Sequence, residues 1–144
     1  MARIEKSIEI RAPPEKVWPL LFWDRLSEWM DMIEKVEYTS EKRASVGATF
    51  HIIGAIEPKA EFDVEITEYA GNEKAIWRST AGNFTAFGTT TLKPTEAGTE
   101  ITFVIDYELP YSILGKIVDK LMVGREIEKG IVRAFEKLKN ILEK

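Results

Sequence analysis

The sequence predicts an α+β fold in which a seven-stranded antiparallel sheet packs against one long C-terminal helix. Hydrophobic and polar residues alternate over positions 4–10 and again for about seventy residues from position 36, the period of strands that bury one face. From 112 to 142 the period becomes helical, and this helix is long enough to cover the sheet. The chain of 144 residues is expected to form one domain, residues 1–144.

The first strand is followed directly by two prolines. Pro13 and Pro14 end the strand because proline has no N–H to donate to a neighbouring strand. The fixed φ of proline suits the first turn of a helix, where the N–H would be unpaired in any case. A short helix is therefore predicted next, with Trp18 beside its apolar side.

A second short helix is predicted over residues 27–33, with Ser27 as its N-cap and Trp29 among its buried residues. Turn signals such as Gly71-Asn72 then separate successive alternating segments, and their short connections imply an antiparallel meander. The six strands predicted after this helix span residues 36–41, 48–56, 60–69, 73–80, 84–93 and 99–108.

The apolar face of the long helix is interrupted by a glycine with a charged residue one turn to either side. Gly124 lies at the centre of that face, with Lys120 and Glu128 one turn to either side. A glycine inside a helix costs about 1 kcal/mol relative to alanine, and charged neighbours are a poor choice for a packed core. Two interpretations are open. These three residues form the wall or mouth of a cavity, or they lie at a rim where the helix extends beyond the sheet.

Composition argues against several kinds of site. The chain has no cysteine, and His51 is its only histidine, so disulfides, thiolate catalysis and Cys- or His-cluster metal sites are excluded and no cofactor is expected. A net charge of −4 and the lack of a basic aromatic platform argue against nucleic-acid binding. The absence of a long apolar run predicts no membrane span and, with no signal-peptide core, a cytoplasmic location.

The composition is also typical of a protein from a hot environment. Charged residues make up 31% of the chain, and it has no glutamine. We expect a melting temperature above about 60 °C, towards the upper end of the range for mesophilic domains. Differential scanning calorimetry measures it, and a lower value would contradict this hypothesis.

Six features in this order resemble the START-like superfamily, also called SRPBCC or helix-grip. They are IEIRAPPEKVW (8–18), Trp29, Gly47, VEITEYAGNEKAIW (64–77), GTEITFVIDYELP (98–110) and LGKIVDKL (114–121). Within the superfamily, the whole chain is most similar to the polyketide cyclase/dehydrase and lipid-transport group. The resemblance implies a curved sheet, in the order β-α-α-β6-α, wrapped around the C-terminal helix. It also implies a cavity between them that the two short helices close at one end; the alternative is an ordinary packed core.

The wall of that cavity is expected to come from inward-facing strand positions and from the apolar face of the helix. The predicted ligand-binding residues are Phe50, Ile52, Phe62, Val64, Ile66, Trp77, Phe84, Phe103, Ile105, Tyr107, Ile117, Leu121, Gly124 and Glu128. Such an apolar, aromatic lining suits a hydrophobic small molecule. His51 is out of phase with its neighbours and is expected on the convex face, whereas Trp18 and Trp29 are expected to pack within the short helices.

Three functions are compatible with these features. The first is non-catalytic binding or transport of a hydrophobic small molecule, such as a lipid, a polyketide or an isoprenoid. The second is a metal-free cyclase or dehydrase, with Glu128, Lys120 and Tyr107 as candidate catalytic groups. The third is a protein-interaction module like the co-chaperone members of the superfamily. The identity of the ligand and the oligomeric state do not follow from the sequence.

Overall fold

The computed structural model describes residues 2–55, 59–108 and 120–144. Its main element is a seven-stranded antiparallel sheet with strand order β1-β7-β6-β5-β4-β3-β2. The strands are β1 (Ala2–Ile10), β2 (Ile33–Tyr38), β3 (Thr49–Gly54), β4 (Glu61–Ala70), β5 (Lys74–Gly82), β6 (Thr85–Pro94) and β7 (Thr99–Glu108). With the C-terminal helix, this sheet confirms the predicted α+β fold class.

The strand boundaries agree with the sequence pattern to within a few residues. The predicted strand 99–108 has the bounds of β7, whereas the predicted strand 36–41 begins at residue 33 in the structure. Because β1 and β2 lie at opposite edges of the sheet, the chain that joins them must cross from one edge to the other. The short helices are therefore carried over the concave face, where they contact β2 and β6.

The chain between β1 and β2, called the entry segment below, contains a short α-helix and two 3-10 helices. Pro14 begins helix α1 (Pro14–Val17), which continues into a 3-10 helix at Trp18–Leu21, and a second 3-10 helix spans Trp23–Glu28. The predicted helix over residues 27–33 was wrong, since residues from 33 onward belong to β2. The physical reason is that the apolar residues here recur every third position, which suits a 3-10 helix of three residues per turn.

The C-terminal helix α2 (Lys120–Leu142) packs through its second half. Ile131 and Leu138 are fully buried, and the Phe135 ring lies 4.8 Å from that of Phe103 on β7. The predicted helical positions 112–119 lie outside the described residues. Among the helices that the structure describes, none is long and apolar enough to cross a membrane.

A bulge in β4 changes which residues face the concave side. Thr67 is an extra residue, because the pairing passes from Ile66 to Glu68 across consecutive residues of β5. The Thr67 hydroxyl donates a hydrogen bond to the carbonyl of Ile76 at 3.3 Å. As a result Tyr69 faces the interior, although strict alternation from Ile66 would direct it to the convex face.

Candidate ligand-binding cavity

A cavity of about 430 Å³ lies between the concave face of the sheet, the first part of α2 and the segment of short helices. The entry segment contributes Trp18, Leu21, Phe22, Trp23, Leu26, Met30 and Met32. The strands and their connections contribute Ile33, Tyr38, Arg43, Ala44, Ile52, Gly54, Ala60, Phe62, Tyr69, Ala75, Trp77, Phe84, Thr89, Thr90, Phe103, Val104 and Ile105, and α2 contributes Val123, Glu126 and Ile127. The volume and apolar lining are those of a site for a small hydrophobic molecule.

Apart from Gly124 and Glu128, the predicted ligand-binding residues divide into three groups in the structure. Those on the cavity wall are Ile52, Phe62, Trp77, Phe84, Phe103 and Ile105. Four others, Phe50, Val64, Ile66 and Tyr107, are buried in the core but are not part of the wall. Phe50 shows the cause, because the ring of Trp23 stacks on it with centroids 4.5 Å apart. Ile117 and the side chains of Leu121 and Lys120 lie outside the described residues.

Gly124 does not face open space, which corrects the expectation for this position. A Cβ atom at Gly124 would lie 3.0 Å from the hydroxyl oxygen of Tyr107 on β7. The glycine therefore allows α2 to approach the sheet closely at this point. Tyr107 is buried beneath the helix, and this burial raises the pKa of its hydroxyl. The gap between helix and sheet instead lies beside Val123 and Ile127.

Glu128 is a rim residue, so its predicted role as a cavity carboxylate is also corrected. Its carboxylate lies 2.6 Å from the ammonium group of Lys6 on β1, and 48% of its side chain is exposed. Neither Glu128 nor Tyr107 belongs to the cavity wall. The described residues therefore do not assemble the acid–base set that was predicted for a cyclase.

His51 lies on the convex face, between two acidic side chains of β4. Its Nδ1 atom is 2.7 Å from an Asp63 carboxylate oxygen, and its Nε2 atom is 2.9 Å from a Glu61 carboxylate oxygen. These hydrogen bonds, with the Asp63 bond the larger cause, raise the pKa of His51 above its ordinary value. Glu37 is its cross-strand partner on β2. His51 is thus a titratable group that links β3 to β4 on the convex face, and it is not a cavity group.

The hydrogen bonds of His51 predict that this residue makes a pH-dependent contribution to stability. Because folding raises the pKa of His51, its contribution is fully present below the unfolded pKa of about 6.5 and is lost as pH rises through the folded pKa. We expect His51→Gln to lower the free energy of unfolding by about 0.5–1 kcal/mol at about pH 6, and by less at about pH 9. Urea unfolding of both proteins at the two pH values measures the difference.

Arg78 provides a control for this experiment. It pairs with Glu65 at 3.0 Å on the neighbouring strands, and a guanidinium stays charged throughout this pH range. The loss caused by Arg78→Gln should therefore be the same at both pH values. If the loss of unfolding free energy caused by His51→Gln were also the same at both pH values, the role assigned to the His51 hydrogen bonds would be contradicted.

Five aromatic wall residues were missed by the sequence analysis: Phe22, Trp23, Tyr38 and Tyr69 were not assigned to the wall, and Trp18 was expected to pack within the short helices. Trp23 stacks on Phe50 and meets Trp77 edge-on at 5.9 Å between centroids, so it covers one side of the cavity. Tyr69 is turned inward by the bulge in β4, and Tyr38 is on β2. The three-residue spacing of apolar residues from Trp23 onward was the available sequence signal for Trp23. The alternation of apolar and polar residues gives no sign of the bulge that turns Tyr69 inward.

Charged residues reach the cavity only at exposed positions in the part of the chain that the structure describes. The Arg43 guanidinium lies 4.6 Å from the centre of the Tyr38 ring and 3.9 Å from a carboxylate oxygen of Asp24, with 63% of its side chain exposed. Glu126 on α2 is more than half exposed and lies 3.7 Å from Lys129. These charges mark the outer part of the wall, while the inner part is uncharged.

This arrangement, a curved antiparallel sheet holding a C-terminal helix over an apolar cavity, is the START-like class of fold. The chain is similar to a START superfamily protein of Mycobacterium smegmatis, with a TM-score of 0.78, 15% identity and coverage of 98% of this chain and 97% of that one. It is also similar to a Thermus thermophilus protein, with a TM-score of 0.81, 20% identity and coverage of 96% and 95%.

The family follows from the sequence match. The model of the polyketide cyclase / dehydrase and lipid transport family matches residues 1–143, and the chain belongs to this family. A relative known from Streptomyces lincolnensis, an uncharacterized 17.2 kDa protein, is 24% identical over 139 residues, which cover 95% of this chain and 89% of that protein. The predicted resemblance is thereby confirmed.

Proposed function

We propose that this protein binds a hydrophobic small molecule, of lipid, polyketide or isoprenoid type, in the cavity and acts as its carrier. The observation that supports this proposal most directly is the cavity of about 430 Å³ with a mainly aromatic and aliphatic wall. Binding an apolar ligand there is favourable by about 25 cal/mol for each Å² of apolar surface that is removed from contact with water. Membership of a family described as acting in lipid transport is consistent with the same role.

Binding without catalysis is favoured by the placement of two of the three candidate acid–base groups. Glu128 is held at the rim by Lys6, and Tyr107 is covered by α2 at Gly124. Acid–base catalysis needs a titratable group within hydrogen-bond reach of the reacting atoms. The charged wall residues, Arg43 and Glu126, are both largely exposed.

Titration with N-phenyl-1-naphthylamine, a neutral probe that fluoresces in apolar surroundings, tests the proposal. We expect saturable binding of one probe per chain. At a free probe concentration of about 100 times Kd, the free energy of unfolding should rise by about 2.7 kcal/mol, because the probe binds the folded state. Native mass spectrometry of protein purified without added ligand should also reveal a co-purified hydrophobic molecule. Non-saturable binding without stabilisation would contradict the proposal.

A further inference from the structure

Two tyrosines lie among the mainly apolar residues of the wall. Tyr69 comes from β4 and Tyr38 from β2, and both residues line the cavity. Their hydrogen-bonding partners indicate what a ligand must supply.

The Tyr69 hydroxyl already accepts a hydrogen bond. The indole N–H of Trp18 donates to its oxygen at 2.7 Å, and the two rings meet edge-on with centroids 5.6 Å apart. These contacts fix the position of the ring and occupy one lone pair of the oxygen. Among the residues that the structure describes, none accepts a hydrogen bond from the Tyr69 O–H.

The Tyr38 ring packs against Phe50, with 6.0 Å between the ring centroids. Burial, with a smaller contribution from Asp24, raises the pKa of Tyr38 to about 12, so the phenol keeps its proton at physiological pH. The backbone N–H of Trp23 makes only a minor contribution, which lowers the pKa of Tyr38. Within the described part of the chain, the Tyr38 O–H also lacks an acceptor.

We propose that the cavity selects an apolar ligand that carries a neutral carbonyl oxygen, as in a ketone or quinone, and that Tyr38 and Tyr69 donate hydrogen bonds to such oxygen atoms. This inference rests on the proposed function. The Tyr69 oxygen already accepts the indole N–H of Trp18, and neither tyrosine O–H has an acceptor among the described residues, so each O–H is available to donate to a ligand in the cavity. A carboxylate fits less well, because Arg43, the cation beside the Tyr38 ring, is 63% exposed and already lies 3.9 Å from a carboxylate oxygen of Asp24, and burying an unpaired charge costs far more than burying a carbonyl.

The inference is tested with 9-fluorenone and fluorene, two rigid molecules of nearly the same shape of which only fluorenone has a carbonyl. Their affinities are measured by displacement of N-phenyl-1-naphthylamine. In the double variant Tyr38→Phe/Tyr69→Phe, we expect the affinity for fluorenone relative to that for fluorene to fall about three- to tenfold, as for the loss of a neutral hydrogen bond. Any change in cavity shape affects both molecules and cancels in this ratio.

Tyr107→Phe is the matched control, because Tyr107 is a buried tyrosine that does not line the cavity. It should leave the fluorenone-to-fluorene ratio at its wild-type value. If the double variant also keeps that ratio while both molecules bind, the carbonyl preference is overturned and the proposed carrier function stands. If neither molecule nor the naphthylamine probe binds the wild-type protein, both proposals are overturned.

Discussion

Replacing Ala75 with Phe is expected to reduce the affinity for N-phenyl-1-naphthylamine by about 100-fold or more, because the new ring would occupy the ligand's space. Ala75 lies on β5 between Tyr69 and Thr90, and all three residues line the cavity. Only 6% of Ala75 is exposed, so a larger side chain at this position has to extend into the cavity. Fluorescence titration of the wild-type protein and the variant gives the ratio of affinities.

Ala81→Phe is the control for this substitution. Ala81 is on the same strand but is exposed, so the added ring projects into solvent and probe binding should change less than twofold. Circular dichroism and thermal unfolding establish that both variants are folded. Undiminished binding by a folded Ala75→Phe protein would show that the probe occupies another site.

A second large effect is expected for Gly82→Ala, which should lower the free energy of unfolding by about 3 kcal/mol or more. Gly82 ends β5 with φ at +109°, a region that residues with a side chain rarely adopt. A Cβ atom there would also collide with the backbone carbonyl of Glu61 and lie 2.5 Å from the Cα of Phe62. These are backbone atoms of the adjacent strand, so a side-chain rotation cannot relieve the collision.

Urea unfolding at constant pH measures this loss, with Gly71→Ala as the control. Gly71 lies in the turn between β4 and β5, and a Cβ atom there would have its nearest neighbour at 4.0 Å. That variant should differ from the wild-type protein by about 0.5 kcal/mol or less. Equal stabilities for the two variants would contradict the importance assigned to the collision at Gly82.

The sheet was predictable because each strand buries one face and therefore shows its period in the sequence. Segment 99–108 alternates without interruption and was predicted with the bounds of β7. The second short helix was misplaced because 3-10 and α-helical patterns differ by a fraction of a residue per turn. Over a segment as short as Trp23–Glu28, that difference does not separate the two patterns.

The cavity was less predictable, because its wall depends on how far the helix stands from the sheet. An apolar residue at a packed position and one at an open position look alike in sequence, as Phe50 and Phe62 illustrate. Gly124 was misread for a related reason: a missing side chain leaves space, and here Tyr107 fills that space. The partner was not identifiable without knowing which residue of β7 lies opposite the helix.

The two-to-one pairing at Thr67 lets β4 carry one residue more than a regular ladder needs between Ile66 and Tyr69. Removing Thr67 would leave Glu68 opposite Ile76 and Tyr69 opposite Ala75 with regular pleating, so the phenol would still face the interior. Keeping the residue but losing the bulge would instead turn Glu68 inward and Tyr69 outward, so that a carboxylate would replace the phenol. A relative whose strand is one residue shorter at this point is therefore expected to have a regular ladder and to keep the same side chain facing inward.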